Sequence, residues 1–209
     1  MKLEHEYALL EGFNRASVGR WLQVGAAAIS AVIVFVLLSA VDLAKRYALD
    51  VNVPPVVMSL VGAGTVYGAL YWLFSRHIWK LSAVARMLKV PNLAGTWSCE
   101  GVTLEKEPNI TWSGTVKIVQ SWDKLRVHLE TEQSVSDSIA AALLHDEAVG
   151  YRLLYHYENR PRIGETSLAA HHGFAELTFA TGENSATGEY FNGRGRNTWG
   201  KLKLTRKVA

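Results

Sequence analysis

The chain has a single cysteine, Cys99, in 209 residues, and only five prolines. One thiol cannot pair within the chain, so no disulfide framework holds the fold. Short catalytic motifs are missing too. There is no Gly-x-Ser-x-Gly elbow and no Gly-Lys-Ser/Thr phosphate loop. His171-His172 is the most suggestive pair of metal ligands, yet no carboxylate or further histidine stands at ligand spacing beside it. No enzyme, metal centre or cofactor is expected.

Charge is absent from two long stretches. Residues 21–41 and residues 51–75 carry no Asp, Glu, Lys or Arg. At about 1.5 Å per residue, a helix over either run can cross a hydrocarbon core roughly 30 Å thick. Both runs are apolar all round rather than along one stripe, which excludes ordinary surface helices. Spans are expected at about 21–43 and 54–75, joined as a hairpin by DLAKRYALD. Arg15 and Arg20 precede the first span, and Arg76, Lys80, Arg86 and Lys89 follow the second, against Lys45 and Arg46 in the connector. The positive-inside bias places both termini of a multi-pass membrane protein in the cytoplasm.

The net charge of +3 hides a division. Residues 1–90 hold nine Lys/Arg against five Asp/Glu, and residues 91–209 hold thirteen against fourteen. The basic excess therefore belongs to the membrane flanks. A second part of charge −1 lacks the electrostatic footprint of a duplex nucleic-acid binder. Two domains follow: 1–90, the spans with a basic linker that continues the second span as a short interfacial helix, and 91–209.

What residues 91–209 do contain is short alternating runs with tight turns between them. Strands are expected at 95–105, 111–122, 124–133, 136–146, 150–159, 173–180, 184–196 and 199–206. The alanines of SDSIAAALLHD would serve a helix equally well. Regular short strands of this kind indicate an antiparallel meander, and eight can close into a barrel. Alternation turns Val116, Ile118, Gln120 and Trp122 to one face, and Leu125, Val127 and Leu129 likewise. Tyr151, Leu153, Tyr155, Tyr157 and Asn159 form a third inward set. The connection RPRIGETSLAAHH is long enough to cover one end as a lid or helical turn.

GEYFNGRGR (188–196) puts Tyr190, Asn192, Arg194 and Arg196 on one face of a strand. The other face would offer Glu189, Phe191 and two glycines, which fill no core. Facing inward, the first set gives a lumen two guanidiniums, an amide and a phenol. Guanidiniums enclosed there need an anionic partner. The other arrangement is an exposed arginine pair facing water.

These features carry a resemblance. Gly95-Thr-Trp97 with the late Arg206 resembles the lipocalin-like closure, in which an early Trp packs under a late Arg. Two spans followed by Leu93-x-Gly-x-Trp97, Tyr155-x-Tyr157-x-Asn159 and Gly188-x-Tyr-Phe-x-x-Arg194-x-Arg196 resemble the two-transmembrane, β-strand-rich effectors of CBASS, the cyclic-oligonucleotide-based anti-phage signalling system. The resemblance implies an eight-stranded lipocalin-like β-barrel that senses a cyclic dinucleotide made by a partner nucleotidyltransferase. It also implies homo-oligomerisation in the membrane and damage to membrane lipid, causing abortive infection. Arg194 and Arg196 would hold phosphates. Tyr155, Tyr157, Tyr190 and Trp122 would flank bases, and Asn159 and Asn192 would read base edges. Either of His171 and His172 could match the family histidine. A tethered carrier of an apolar ligand and a scaffold with a filled lumen are the competing classes.

Overall fold

The structure is a computed structural model that describes residues 4–11, 13–49, 52–104, 108–193 and 196–207. Two compact units divide it: Phe13–Trp79, and Met1–Gly12 together with Lys80–Ala209.

The first unit is helical. Helix α1 (Arg15–Arg46) begins where the Asn14 side chain accepts a hydrogen bond from the Ala16 amide at 2.8 Å. It ends on Lys45 and Arg46, basic residues suited to the negative end of the helix dipole. Among the described residues, it is the one helix long and apolar enough to cross a membrane unaided. The second apolar run departs from expectation. Instead of one helix over 54–75 it forms α2 (Pro55–Leu60) and α3 (Ala63–Arg76), separated by an extended Gly62 with φ −61° and ψ 150°. Glycine weakens helix propagation there. The Ser30 hydroxyl of α1 donates to the Val61 carbonyl that the break frees. A hydroxyl supplied in this way makes broken helices tolerable in an apolar medium. A 3-10 turn (Ile78–Lys80) and helix α4 (Ser82–Leu88) follow, in place of the expected continuation.

The second unit is a sheet whose pairings close into a barrel. The eight anticipated strands are present as β2 (Gly95–Thr103), β3 (Ile110–Gln120), β4 (Lys124–Thr131), β5 (Ser134–Asp146), β6 (Gly150–Pro161), β7 (His171–Phe179), β8 (Ser185–Gly193) and β9 (Trp199–Arg206). Each pairs antiparallel with its sequence neighbour, and β9 returns to β2. SDSIAAALLHD lies wholly in β5, because both its ends find antiparallel partners in β6. The count is nine rather than eight. An unanticipated strand β1 (His5–Leu10) precedes α1 in the chain and enters between β4 and β5.

That insertion has a local cause. The β4–β5 ladder covers only His128↔Asp137 to Glu130↔Val135. A bulge between Ser138 and Ala140 then splays β5 away, and β1 fills the fork. It pairs antiparallel to β4 through His5 and Glu6, and parallel to β5 from Tyr7 to Leu10. Tyr7 is the anchor, 2% exposed, with its hydroxyl donating to the Trp122 carbonyl at 3.1 Å. On the outer wall at the same fork, Asp137 accepts hydrogen bonds from Arg126 at 2.6 Å and Arg160 at 2.6 Å, and meets His128 at 2.8 Å. Burial opposes its charge, but the bonds from His128 and Arg126 win and hold its carboxyl below the ordinary 3.8.

One end of the barrel is closed by packing. Trp97 is fully buried with Arg206 stacked 4.5 Å from its ring centre. The guanidinium donates to the carbonyls of Asn92 (2.8 Å), Ala94 (3.2 Å) and Glu183 (3.2 Å). Cys99 is buried nearby in β2, and desolvation pushes its thiol up to about 12, so it is chemically quiet.

Candidate ligand-binding cavity

The other end is open. A cavity of about 640 Å³ lies between the strands there, inside the range of roughly 300–1,000 Å³ usual for small-molecule sites. Its size follows from the register. One row across the sheet reads Tyr155, Ala175, Tyr190, Gly200, and the next reads Tyr157, Gly173, Asn192. Small residues therefore alternate with rings. A Cβ on Gly173 would collide with the Tyr157 ring, and one on Gly200 would meet the Tyr190 ring at 2.8 Å. Only glycine lets these rings lie flat along the wall.

Tyr155, Tyr157, Asn159, Tyr190, Asn192 and Arg196 all line the cavity. Glu189 and Phe191 point outward and are exposed. The inward reading of alternation thus holds for Tyr190 and Asn192. It does not extend to Arg196, since β8 stops at Gly193 and Arg196 reaches the cavity from the loop that follows. Arg194 lies outside the described residues. Trp122 needs correction as a site residue: it is 2% exposed and sits beside Tyr7 at the closed end, away from the cavity. It lies in the turn after β3, which ends at Gln120.

Several lining groups went unforeseen. Trp112 of β3 meets Tyr190 edge-on at 5.8 Å between ring centres. Alternation continued backwards from Val116 through Gly114 would have found it. Ser134 and Ser136 flank Asn159, and Leu168 covers the cavity from the loop between β6 and β7, which contains no helical turn. Of the two histidines, His171 faces the cavity and is 6% exposed, whereas His172 lies on the other face beside His156.

Hydrogen bonds fix much of this wall in advance. The Tyr157 hydroxyl donates to Asn192 Oδ1 at 2.7 Å, and Asn192 Nδ2 donates to Thr198 Oγ1 at 2.7 Å. Arg196 Nε donates to the same hydroxyl at 3.3 Å, so this chain of bonds steadies the guanidinium. Tyr190 Oη is shared with Thr103 at 2.6 Å and Trp112 Nε1 at 3.3 Å. Asn159 differs from these. Its Nδ2 donates to Ser134 at 2.9 Å and Ser136 at 2.8 Å, but its buried Oδ1 has no partner among the described residues. A buried acceptor left without a donor is costly, and a ligand N–H or O–H would relieve it.

The described charged residues lining the cavity are one cation, Arg196, and two carboxylates, Glu130 and Glu132. Burial raises the Tyr155 and Tyr157 phenols far above their ordinary value, so both stay neutral. Burial first, and then the Arg196 charge, lowers His171 below 6.5 although its Nδ1–H donates to the Ala169 carbonyl at 2.8 Å. Its ring is therefore neutral at neutral pH. Glu130 at the rim is countered by Arg162 at 2.6 Å. No group of three His, Cys, Asp or Glu that could hold a metal ion occurs among the described residues.

Comparison with known proteins matches both parts of the chain. The model of the Cap15 cyclic dinucleotide receptor domain covers residues 88–206, and that of the Cap15 TM helices covers residues 16–80. CD-NTase-associated protein 15 of Yersinia aleksiciae is 44% identical over 202 residues, which is 97% of each chain. The chain therefore belongs to the Cap15 family of CBASS-associated proteins, with a cyclic dinucleotide receptor domain joined to a membrane-spanning region.

Proposed function

We propose that this chain is an anti-phage effector. It binds a cyclic dinucleotide in the open end of the barrel, oligomerises, and disrupts the inner membrane of the infected cell. The observation that carries the reading is the cavity itself, with aromatic rings on its walls, Arg196 held at its side and an unpartnered Asn159 Oδ1 within it. A cyclic dinucleotide has two flat bases and two phosphodiesters. Tyr155, Tyr157, Tyr190 and Trp112 offer surfaces for the bases, and Arg196 offers charged donors to phosphate. Arg194, two residues earlier in the sequence, would add a second cation. Asn159 Oδ1 would accept from a base N–H. The relative's name ties that protein to a CD-NTase, and a partner nucleotidyltransferase is the corresponding source of ligand here.

Sheet connectivity supports a hairpin with both termini in the cytoplasm. β1 precedes the helical unit and β2–β9 follow it, yet all belong to one sheet. A chain that leaves a folded unit through α1 and returns to it must cross the membrane an even number of times. The lysines and arginines that flank the helical segment set the cytoplasmic side. An apolar-ligand carrier is disfavoured by the amides, serines, histidine and arginine of the cavity.

The test is a thermal-shift titration of the detergent-solubilised full chain with cyclic di-AMP, cyclic di-GMP, cyclic di-UMP and oleate. At least one cyclic dinucleotide should raise the melting temperature and oleate should not. Stabilisation by oleate alone would replace the sensor with the carrier.

A further inference from the structure

We infer that Gln120 is a positioning residue that couples the cavity to both ends of the membrane segment, an inference that rests on the sensor reading above. Gln120 ends β3 at the closed end of the barrel and is 5% exposed. Its Oε1 accepts from the Leu93 amide at 2.8 Å, and its Nε2 donates to the Pro91 carbonyl at 3.1 Å and to Tyr7 Oη at 3.5 Å. Tyr7 lies in β1, just before the helical unit. Pro91 and Leu93 lie between α4, which follows that unit, and β2. One buried amide therefore clasps the two chain segments through which the barrel is joined to the membrane helices.

The other end of the same strand lies at the cavity, where Trp112 forms part of the wall. Between Trp112 and Gln120 the ladder to β2 and then to β4 runs without a register shift. A regular strand of this length, roughly 27 Å, paired on both sides from Gly114 to Ile118 and on one side at each end, moves as a unit rather than absorbing a displacement midway. The element that responds is β1. It has six residues, lies in the fork opened by the β5 bulge, and pairs with β4 at two positions and with β5 at four. Packing alone does not call for an amide here, since Val116 and Ile118 occupy the same face of β3 with apolar side chains. What the amide adds is directional bonding to both flanks. Occupancy of the cavity shifts β3, Gln120 changes its hold on Tyr7 and the linker, and both membrane flanks feel the change together.

The test uses the full chain in dye-loaded vesicles of phosphatidylethanolamine and phosphatidylglycerol, titrated with the same three cyclic dinucleotides. Gln120→Met removes all three bonds at similar volume, and Tyr7→Phe removes the hydroxyl with its bonds to Gln120 and to the Ser121 and Trp122 carbonyls. Each variant should keep wild-type ligand affinity within about threefold, while dye release requires roughly tenfold more ligand or is lost. The double variant should be no worse than the poorer single variant. Dye release at wild-type concentrations in both variants would overturn the inference. So would a parallel loss of affinity and release, which marks a role in stability only. If Gln120→Met does not fold, Tyr7→Phe decides. Wild-type protein that neither binds nor releases dye would overturn the sensor reading, and this inference with it.

Discussion

The two ends of the barrel are built from similar residues and reach opposite outcomes. Each has a tryptophan, an arginine and a carboxamide facing inward. At the closed end Arg206 lies over Trp97 and donates to three carbonyls, while both polar atoms of Gln120 are bonded. At the open end, among the described residues, Arg196 makes one long bond to a hydroxyl, Trp112 stands edge-on to Tyr190, and Asn159 keeps an unpartnered oxygen. Polar groups that satisfy one another stabilise a fold. Polar groups left partly unsatisfied around a cavity are suited to a ligand.

Substitutions at the two ends should therefore separate stability from binding. The largest effect is expected from Trp97→Ala, which removes a fully buried ring and the surface under Arg206. Loss of about 3–5 kcal/mol should lower the melting temperature by on the order of 10 °C. Arg196→Ala should leave melting without ligand nearly unchanged but weaken ligand binding by about 1.5–3 kcal/mol, or roughly one to two orders of magnitude. Calorimetric titration measures this, and unchanged affinity would remove Arg196 from the site. Asn159→Ala should weaken binding less, by about 1 kcal/mol, with a small cost to the apo fold from the lost bonds to Ser134 and Ser136.

The smallest effect concerns pH. Burial keeps His171 below its ordinary 6.5 in the fold, so in that window the unfolded chain binds more protons than the folded one. Its contribution to stability is present above pH 6.5 and is lost as pH falls through the folded value. Melting curves taken from pH 7.5 down to pH 5 should show this slope, and His171→Gln should flatten it.

Much of the barrel was legible because period-two alternation is a local signal that each strand reports on its own. The eight meander strands, the inward faces of β3 and β6, and the orientation of Tyr190 and Asn192 all came from it. Trp122 shows the limit. Alternation says which face a residue occupies, but height along the barrel depends on strand tilt and on register with neighbours distant in sequence. β1 was missed for a related reason. HEYALL is short, and its place as a strand depends on a fork made by the β5 bulge more than a hundred residues later. The break between α2 and α3 was hidden because Gly62 is a weak stop signal and the freed Val61 carbonyl is answered by Ser30, a residue of another helix.

The central claim is that ligand binds at the open end of the barrel, against Trp112, and not at the closed end beside Trp122. Tryptophan fluorescence tests it most directly, since Trp112 lies on the cavity wall and Trp122 is buried beside Tyr7. A cyclic dinucleotide that stabilises the full chain should quench wild-type emission by stacking on or beside Trp112. Trp112→Phe should lose most of that quenching, and Trp122→Phe should retain it. Quenching that survives in Trp112→Phe and disappears in Trp122→Phe would place the ligand at the wrong end of the barrel and contradict the account.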